Sequence, residues 1–329
     1  MTPAALRKIG RLETAVFPIG LGCASLSGSY GPADEAEAIR LIHAAMDIGV
    51  TFFDTSDKYG NGHNEELLSR AFAGKRDQVV IASKFGNVSG KGDGRIADGR
   101  PEFVIASCEA SLKRLRTDHI DLYYQHRLDP QVPIEETVGA MAQLVAQGKV
   151  RAIGLCEVNP STLRRAHATH PISAVQSEYS IMYREQAEDV RVTTRELGVT
   201  FVPYAPLGRG LLTGSVNQSS LREGDERLRH PRFQPENLDR NLDLVRNLEA
   251  VAKAHDSSAG QIALAWLLAQ GDDIIPIPGT KTLSRMVENT NAAQITLSQA
   301  DLDFLAEAFP HGVAAGTRYR SEHMKNMYL

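Results

Sequence analysis

The chain has 329 residues, 42% hydrophobic, 23% charged and 6% aromatic, a balance that excludes disordered, collagenous and disulfide-scaffold classes. Lys and Arg total 36 against 40 Asp and Glu, a net charge of −4, so no basic excess exists for nucleic acid or an anionic membrane. Three cysteines without CxxC spacing, and no apolar tract near the ~20 residues of a membrane span, fit a soluble protein of a reducing, cytoplasmic compartment.

In chain order, the opening LRKIGRLETAV suggests a small hairpin. Short apolar runs follow at 16–22, 50–54, 78–84, 119–126, 150–156, 173–176, 199–204 and 273–279. Between them lie helical patterns at 34–49, 102–116, 134–148, 161–170, 184–198 and 258–271, four of them closed by Gly49, Gly148, Gly198 and Gly271. Eight strands separated by helices imply right-handed βαβ units and a parallel sheet. With no Gly-rich dinucleotide loop, the pattern predicts one domain over residues 1–329. Its fold class is α/β, a (β/α)8 TIM barrel with the hairpin as floor and its active site in the loops of the C-terminal face. Residues 213–240 are polar, turn-rich and too long for an ordinary connection, the signature of a lid or binding loop. The glycine-rich stretch 86–100 is expected to be mobile.

In such a barrel chemistry collects where strands end. The second run ends in Asp54, the third in Lys84, the fourth in Gln125 and His126, the fifth in Cys156 and Glu157, the sixth in Gln176 and the seventh in Tyr204. A carboxylate and an ammonium at neighbouring strand ends should pair, because isolated buried charges are costly. Tyr59 lies on the same face, five residues beyond Asp54. A phenol with a pKa near ~10 is a poor acid at neutral pH. A nearby Lys84 is expected to lower that value and make Tyr59 a usable proton donor, with His126 orienting a carbonyl oxygen. The set lacks an electron source, so a cofactor must supply hydride. YAPLGRGLLTG (204–214) offers glycines and Arg209 to a pyrophosphate, and IPGTKTLSRMVEN (277–289) opens a helix flanked by Lys281 and Arg285.

Several readings stay structural. GLGCAS (20–25) lacks the third glycine of a dinucleotide fingerprint. His167 and His170 have metal-like i,i+3 spacing but sit at a helix end, and no metal site is expected. Trp266, Tyr123, Tyr124 and Cys108 read as packing residues.

Taken together, FFDTSDKYGNGHNEELL, IASKFG, DLYYQHRLDP, GKVRAIGLCEVNP, AVQSEYS, YAPLGRGLLTG and IPIPGTK resemble the aldo-keto reductases, in this order and over residues 12–295. The likeness is greatest to the bacterial branch that reduces aldehydes and ketones with NADPH. It implies a catalytic tetrad of Asp54, Tyr59, Lys84 and His126. It implies nicotinamide contacts from Cys156, Glu157 and Gln176, with Tyr204 stacked on the ring and Gly22 and Cys23 nearby. The pyrophosphate would follow Ala205, Pro206, Leu207, Gly208, Arg209 and Gly210. Gly279 and Thr280 would lead to Lys281 and Arg285 at the 2′-phosphate, with Glu288 and Asn289 near the adenine. GLCE departs from the GLSE or GLSN of relatives, replacing a hydroxyl donor with a weak thiol. Lys58 adds a cation beside Tyr59, and the C-terminal tail is expected to shape the pocket. The function implied is NADPH-dependent reduction of a small carbonyl compound. Two alternatives are a Schiff-base barrel using Lys84 and an NADPH-binding regulatory barrel with little turnover.

Overall fold

A computed structural model describes residues 4–88, 96–221, 223–324 and 327–329. The centre of the expected mobile stretch, 89–95, lies outside the described residues. After a hairpin of β1 (Arg7–Lys8) and β2 (Ala15–Val16) come seven parallel strands: β3 (Leu21–Gly22), β4 (Phe52–Asp54), β5 (Val80–Phe85), β6 (Ile120–Gln125), β7 (Val150–Cys156), β8 (Ala174–Glu178) and β9 (Thr200–Tyr204). Each pairs with the next in sequence order.

The run 273–279, expected as the eighth strand, closes the barrel without forming a regular ladder. On one side Phe201 N donates to Asp273 O, while Ile275 N and Ile277 N donate to Phe201 O and Pro203 O. On the other, Gly20 N and Gly22 N donate to Pro276 O and Pro278 O. Pro276 and Pro278 have no N–H to return, so the β3 side is held by one-way bonds. Pro18 has the same effect on the first run, whose ladder begins only at Leu21.

The expected helices form as α1 (Glu35–Asp47), α3 (Pro101–Leu115), α4 (Ile134–Ala146), α5 (Pro160–Thr169), α6 (Glu185–Leu197), α8 (Ala259–Ala269) and α9 (Leu283–Asn291). Four more among the described residues were not expected: α2 (His63–Ala71), α7 (Pro235–Ala254), α10 (Gln299–Ala308) and the short α11 (Ser321–Met324). The apolar period of α2 is masked by buried polar residues. Asn64 bonds Cys23 O and the Ser27 hydroxyl, and Glu65 accepts from Ser83 at 2.5 Å and Arg114 at 2.6 Å. The start of α7 takes the last residues of the expected lid, which otherwise folds as short 3-10 turns. Among the described residues no helix is long and apolar enough to cross a membrane.

Alternation along the strands sorts residues between two cores. Phe52, Val80, Ala82, Leu122, Tyr124, Ala152, Ala174, Val202, Ile275 and Ile277 pack inside the barrel. Phe53, Ile81, Phe85, Tyr123, Ile153, Leu155, Val175, Phe201 and Ile274 pack outward, under the helices. Trp266 and Cys108 belong to that outer core, as expected.

The hairpin floors the barrel. Ile9, Leu12 and Val16 join the interior core, and Thr200 Oγ1 ties the hairpin to β9 by accepting from Gly10 N and donating to Lys8 O. Gly10 has φ +49°, and a Cβ there would stand 2.3 Å from Ser173 O. Gly10→Ala therefore adds both backbone strain and overlap against a strand backbone. It is expected to cost about 2 kcal/mol, a fall of roughly 5 °C in melting midpoint by differential scanning fluorimetry. An unchanged midpoint would mean the floor is not docked as described.

Candidate active site

Continuing the inward parity past the last apolar layer brings one polar side chain from each of β4 to β9 to the barrel mouth. Phe52 is followed inward by Asp54, Ala82 by Lys84, Tyr124 by His126, Ala152 and Gly154 by Cys156, Ala174 by Gln176 and Val202 by Tyr204. The chain thus places ionisable groups where apolar packing ends.

Lys84 is fully buried and saturated. Its Nζ donates to Asp54 Oδ1 at 2.5 Å, Thr55 O at 2.7 Å and the Tyr59 hydroxyl at 3.3 Å. Asp54 Oδ2 accepts from Gln176 Nε2 at 2.8 Å. Burial works against the Lys84 ammonium, but Asp54 and Tyr59 more than offset it and hold the pKa above the ordinary lysine range. A lysine so held is charged and engaged, which argues against attack on a carbonyl as a free amine.

Tyr59 opens a turn in which Gly60, Asn61 and Gly62 all take positive φ, a tight reversal that leads into α2. Its pKa differs from the sequence expectation. Burial pushes the phenol up to about 12, and the Lys84 charge only partly opposes it. Tyr59 is therefore protonated throughout the neutral range.

His126 stands edge-on to Tyr59, with ring centroids 6.0 Å apart at 90°. Its Nδ1 lies 3.2 Å from the Ser56 hydroxyl, a partner the sequence reading missed. Burial, then the positive charges of Arg127, Lys84 and Lys58, hold the imidazole well below its ordinary range, so it is neutral.

A cavity of about 1570 Å³ runs from this group across the barrel mouth. Gly22, Asp54, Tyr59, His126, Cys156, Gln176, Tyr204, Ala205, Pro206, Leu207, Arg209, Gly210, Gly279, Thr280, Lys281, Arg285, Glu288 and Asn289 all line it. Four predicted residues do not line it. Lys84 lies behind Asp54 and Tyr59. Cys23 is in the outer core, its N–H on Asp54 O. Gly208 bonds Ala205 O within a turn. Glu157, one residue beyond the inward Cys156 and at φ +55°, receives Arg318 Nη1 and Nη2 at 2.7 and 2.6 Å. That buried clasp ties the C-terminal tail down and leaves the Glu157 carboxylate no free face for a ligand. The tail supplies Tyr319, Arg320, His323 and Met327 to the cavity, as expected in outline. Cys156 faces it with a thiol that burial pushes up to about 12, an uncharged, weak donor.

The distal end is suited to an anion. Lys281, Thr282, Ser284 and Arg285 line it where α9 begins, and no side chain caps that helix. Lys281 Nζ donates to the carbonyls of Tyr30, Gly31 and Pro32 at 2.7–3.0 Å. Arg285 is exposed and has no intramolecular partner among the described residues. Arg209 Nη2 is buried without a hydrogen bond, 3.6 Å from Glu178 Oε2. The sequence reading missed Tyr30, Arg127 and Arg227, which also line the cavity. Arg127 was within reach, since it follows His126 directly. His167 Nδ1 accepts from Ile172 N at 3.2 Å.

Comparison with known proteins agrees with this architecture. Residues 18–309 match the Aldo/keto reductase family. The chain is 46% identical over 324 residues to a probable aldo-keto reductase 1 of Glycine max, covering 97% of this chain and 93% of that protein. It is 44% identical over 321 residues to aldo-keto reductase yakc of Schizosaccharomyces pombe, whose name specifies NADP(+), covering 95% and 94%. The glycerol dehydrogenase of Gluconobacter oxydans superposes with a TM-score of 0.84 at 28% identity, covering 94% of this chain and 98% of that one. The protein is an oxidoreductase on a parallel α/β barrel. It belongs to the aldo/keto reductase family.

The neutral imidazole is checkable directly. Nitrogen chemical shifts of His126 are expected to stay neutral from pH 8 down to 5, whereas the unfolded chain protonates near ~6.5. Because the folded pKa lies below the unfolded one, this residue's contribution to stability falls as pH drops below that value. Titration in the ordinary histidine range would overturn the assignment.

Proposed function

We propose that this chain reduces an aldehyde or ketone to the alcohol with NADPH, Tyr59 giving the proton. The observation that carries the reading is a protonated tyrosine held 3.3 Å from a buried, carboxylate-paired ammonium at the inner end of a cavity whose outer end presents cations and an open helix N-terminus. A nicotinamide would rest among Cys156, Gln176 and Tyr204, a pyrophosphate along Leu207, Arg209 and Gly210, and a 2′-phosphate at Lys281 and Arg285, with Glu288 and Asn289 beside the adenine. When bound, NADPH supplies the hydride that no side chain here can give.

For His126 to orient the substrate oxygen, the Ser56 hydroxyl must donate to Nδ1 rather than to Asp57 Oδ1, which keeps the neutral ring's proton on Nε2. As negative charge gathers on the carbonyl oxygen, the Tyr59 O–H bond would break to protonate it. The phenolate left behind faces the Lys84 ammonium and regains a proton from solvent. Asp54 and Gln176 act at one remove, fixing Lys84. The three cysteines are free and buried, which suits the cytoplasmic setting that this reading includes.

Tyr59→Phe keeps the ring and loses the proton, so aldehyde reduction is expected to fall about 10²- to 10⁴-fold while NADPH still binds. A near wild-type rate would remove Tyr59 from the acid role. Cofactor choice supplies a second test. Among the described residues Arg285 has no competing partner, whereas Lys281 is held by three carbonyls, so Arg285 should carry more of the preference. NADPH should bind at least about tenfold more tightly than NADH by fluorescence titration, the low end for charge-assisted bonds. Arg285→Ala should erase most of that ratio and Lys281→Ala less. Equal wild-type affinity for the two nucleotides would contradict the 2′-phosphate site.

A further inference from the structure

Arg127 follows His126 beyond the end of β6 and lines the same cavity. Its guanidinium makes one hydrogen bond, from Nη1 to the carbonyl of His126 at 2.8 Å. Among the described residues no carboxylate lies within 4.0 Å of it. Other enclosed arginines of this chain are each paired: Arg76 with Asp121, Arg114 with Glu65, Arg232 with Glu178 and Arg318 with Glu157. The acids nearest the mouth are occupied, Asp54 by Lys84 and Gln176, and Glu157 by two bonds from Arg318. Arg127 therefore lines the cavity as a permanently charged donor fork that no carboxylate touches among the described residues, and the acid whose charge it feels, Glu157, is clasped by Arg318. Lys58 lines the cavity from the Tyr59 side, and the charges of both residues are felt at His126.

From this we infer that the substrate carries an anion of its own, a carboxylate or phosphate ester set apart from the reacting carbonyl and received by Arg127. The inference rests on the carbonyl-reductase reading. An oxyanion matches the two parallel N–H donors that a guanidinium offers, and it supplies the countercharge a half-buried cation lacks. Such a contact would also fix the direction in which the carbonyl enters. The anion end lies at Arg127, and the oxygen lies between His126 and Tyr59. A neutral aldehyde of the same shape would still reach the tetrad, but it would leave the guanidinium unpaired in a space narrowed by the substrate.

The test uses the full chain, NADPH and two matched pairs: 4-carboxybenzaldehyde against its methyl ester, and glyceraldehyde 3-phosphate against glyceraldehyde. The anionic member of at least one pair is expected to show a kcat/KM tenfold or more above its partner, and the favoured pair tells carboxylate from phosphate. Arg127→Met should collapse that ratio mainly through KM, and Arg127→Lys should restore part of it. No preference in either pair would overturn the inference without any variant being needed. A preference that survives Arg127→Met would overturn it as well. So would a variant that slows both members of a pair equally while weakening NADPH binding, since the guanidinium would then serve the cofactor. If no member of either pair is reduced although NADPH binds, the reductase reading falls and this inference falls with it.

Discussion

The interior of a closed barrel admits a side chain at every second strand position and gives it no water. Everything at the mouth of this molecule depends on how that constraint meets Lys84. An ammonium on the next inward position above Ala82 can stay charged only with a carboxylate at hydrogen-bonding distance, which the neighbouring strand supplies as Asp54. Asp54 has a second oxygen to satisfy, and Gln176 reaches it from across the barrel. One buried pair thus links strands β4, β5 and β8. It fixes the lysine proton that faces Tyr59 and leaves the outer, solvent-reaching groups free to vary.

A consequence is that acid strength and acid readiness have different sources here. Burial keeps the Tyr59 proton on the ring at neutral pH, while the Lys84 charge, 3.3 Å away, opposes that effect and under the proposed chemistry would lower the cost of the anion. From the sequence, the lysine is the visible influence on the tyrosine. The larger desolvation effect depends on how deeply the 59–62 turn seats the ring, which residue types do not reveal.

Much of the barrel was legible because alternation and helix-closing glycines are local signals. The mouth residues were legible for the same reason: Asp54, Lys84, His126, Cys156, Gln176 and Tyr204 share the parity of the apolar residues beneath them. Glu157 and Cys23 fail that same parity, and the structure turns both away from the cavity. What stayed hidden was set by tertiary contact. Buried Asn64 and Glu65 disguised α2 because their partners, Cys23, Ser27, Ser83 and Arg114, are remote in sequence. Arg318 could not be read as the mate of Glu157 across 161 residues. Pro276 and Pro278 were read as ordinary members of a strand, though their missing donors give the closing segment its irregular form.

That proline seam bears on how the fold can diversify. The segment joins the barrel on its β3 side through bonds donated only by Gly20 and Gly22, and its own direction is set by ring-locked φ angles. Directly beyond it come Gly279, Thr280, Lys281 and the first turn of α9. Residues there lie beyond the last backbone bonds that hold the segment, so they can be exchanged without breaking its pairing with β3 or β9. The barrel wall therefore carries a modular insert at its point of closure. Residues on that insert can change while the Asp54–Lys84 pair, on the second and third strands from the seam, keeps its own anchors.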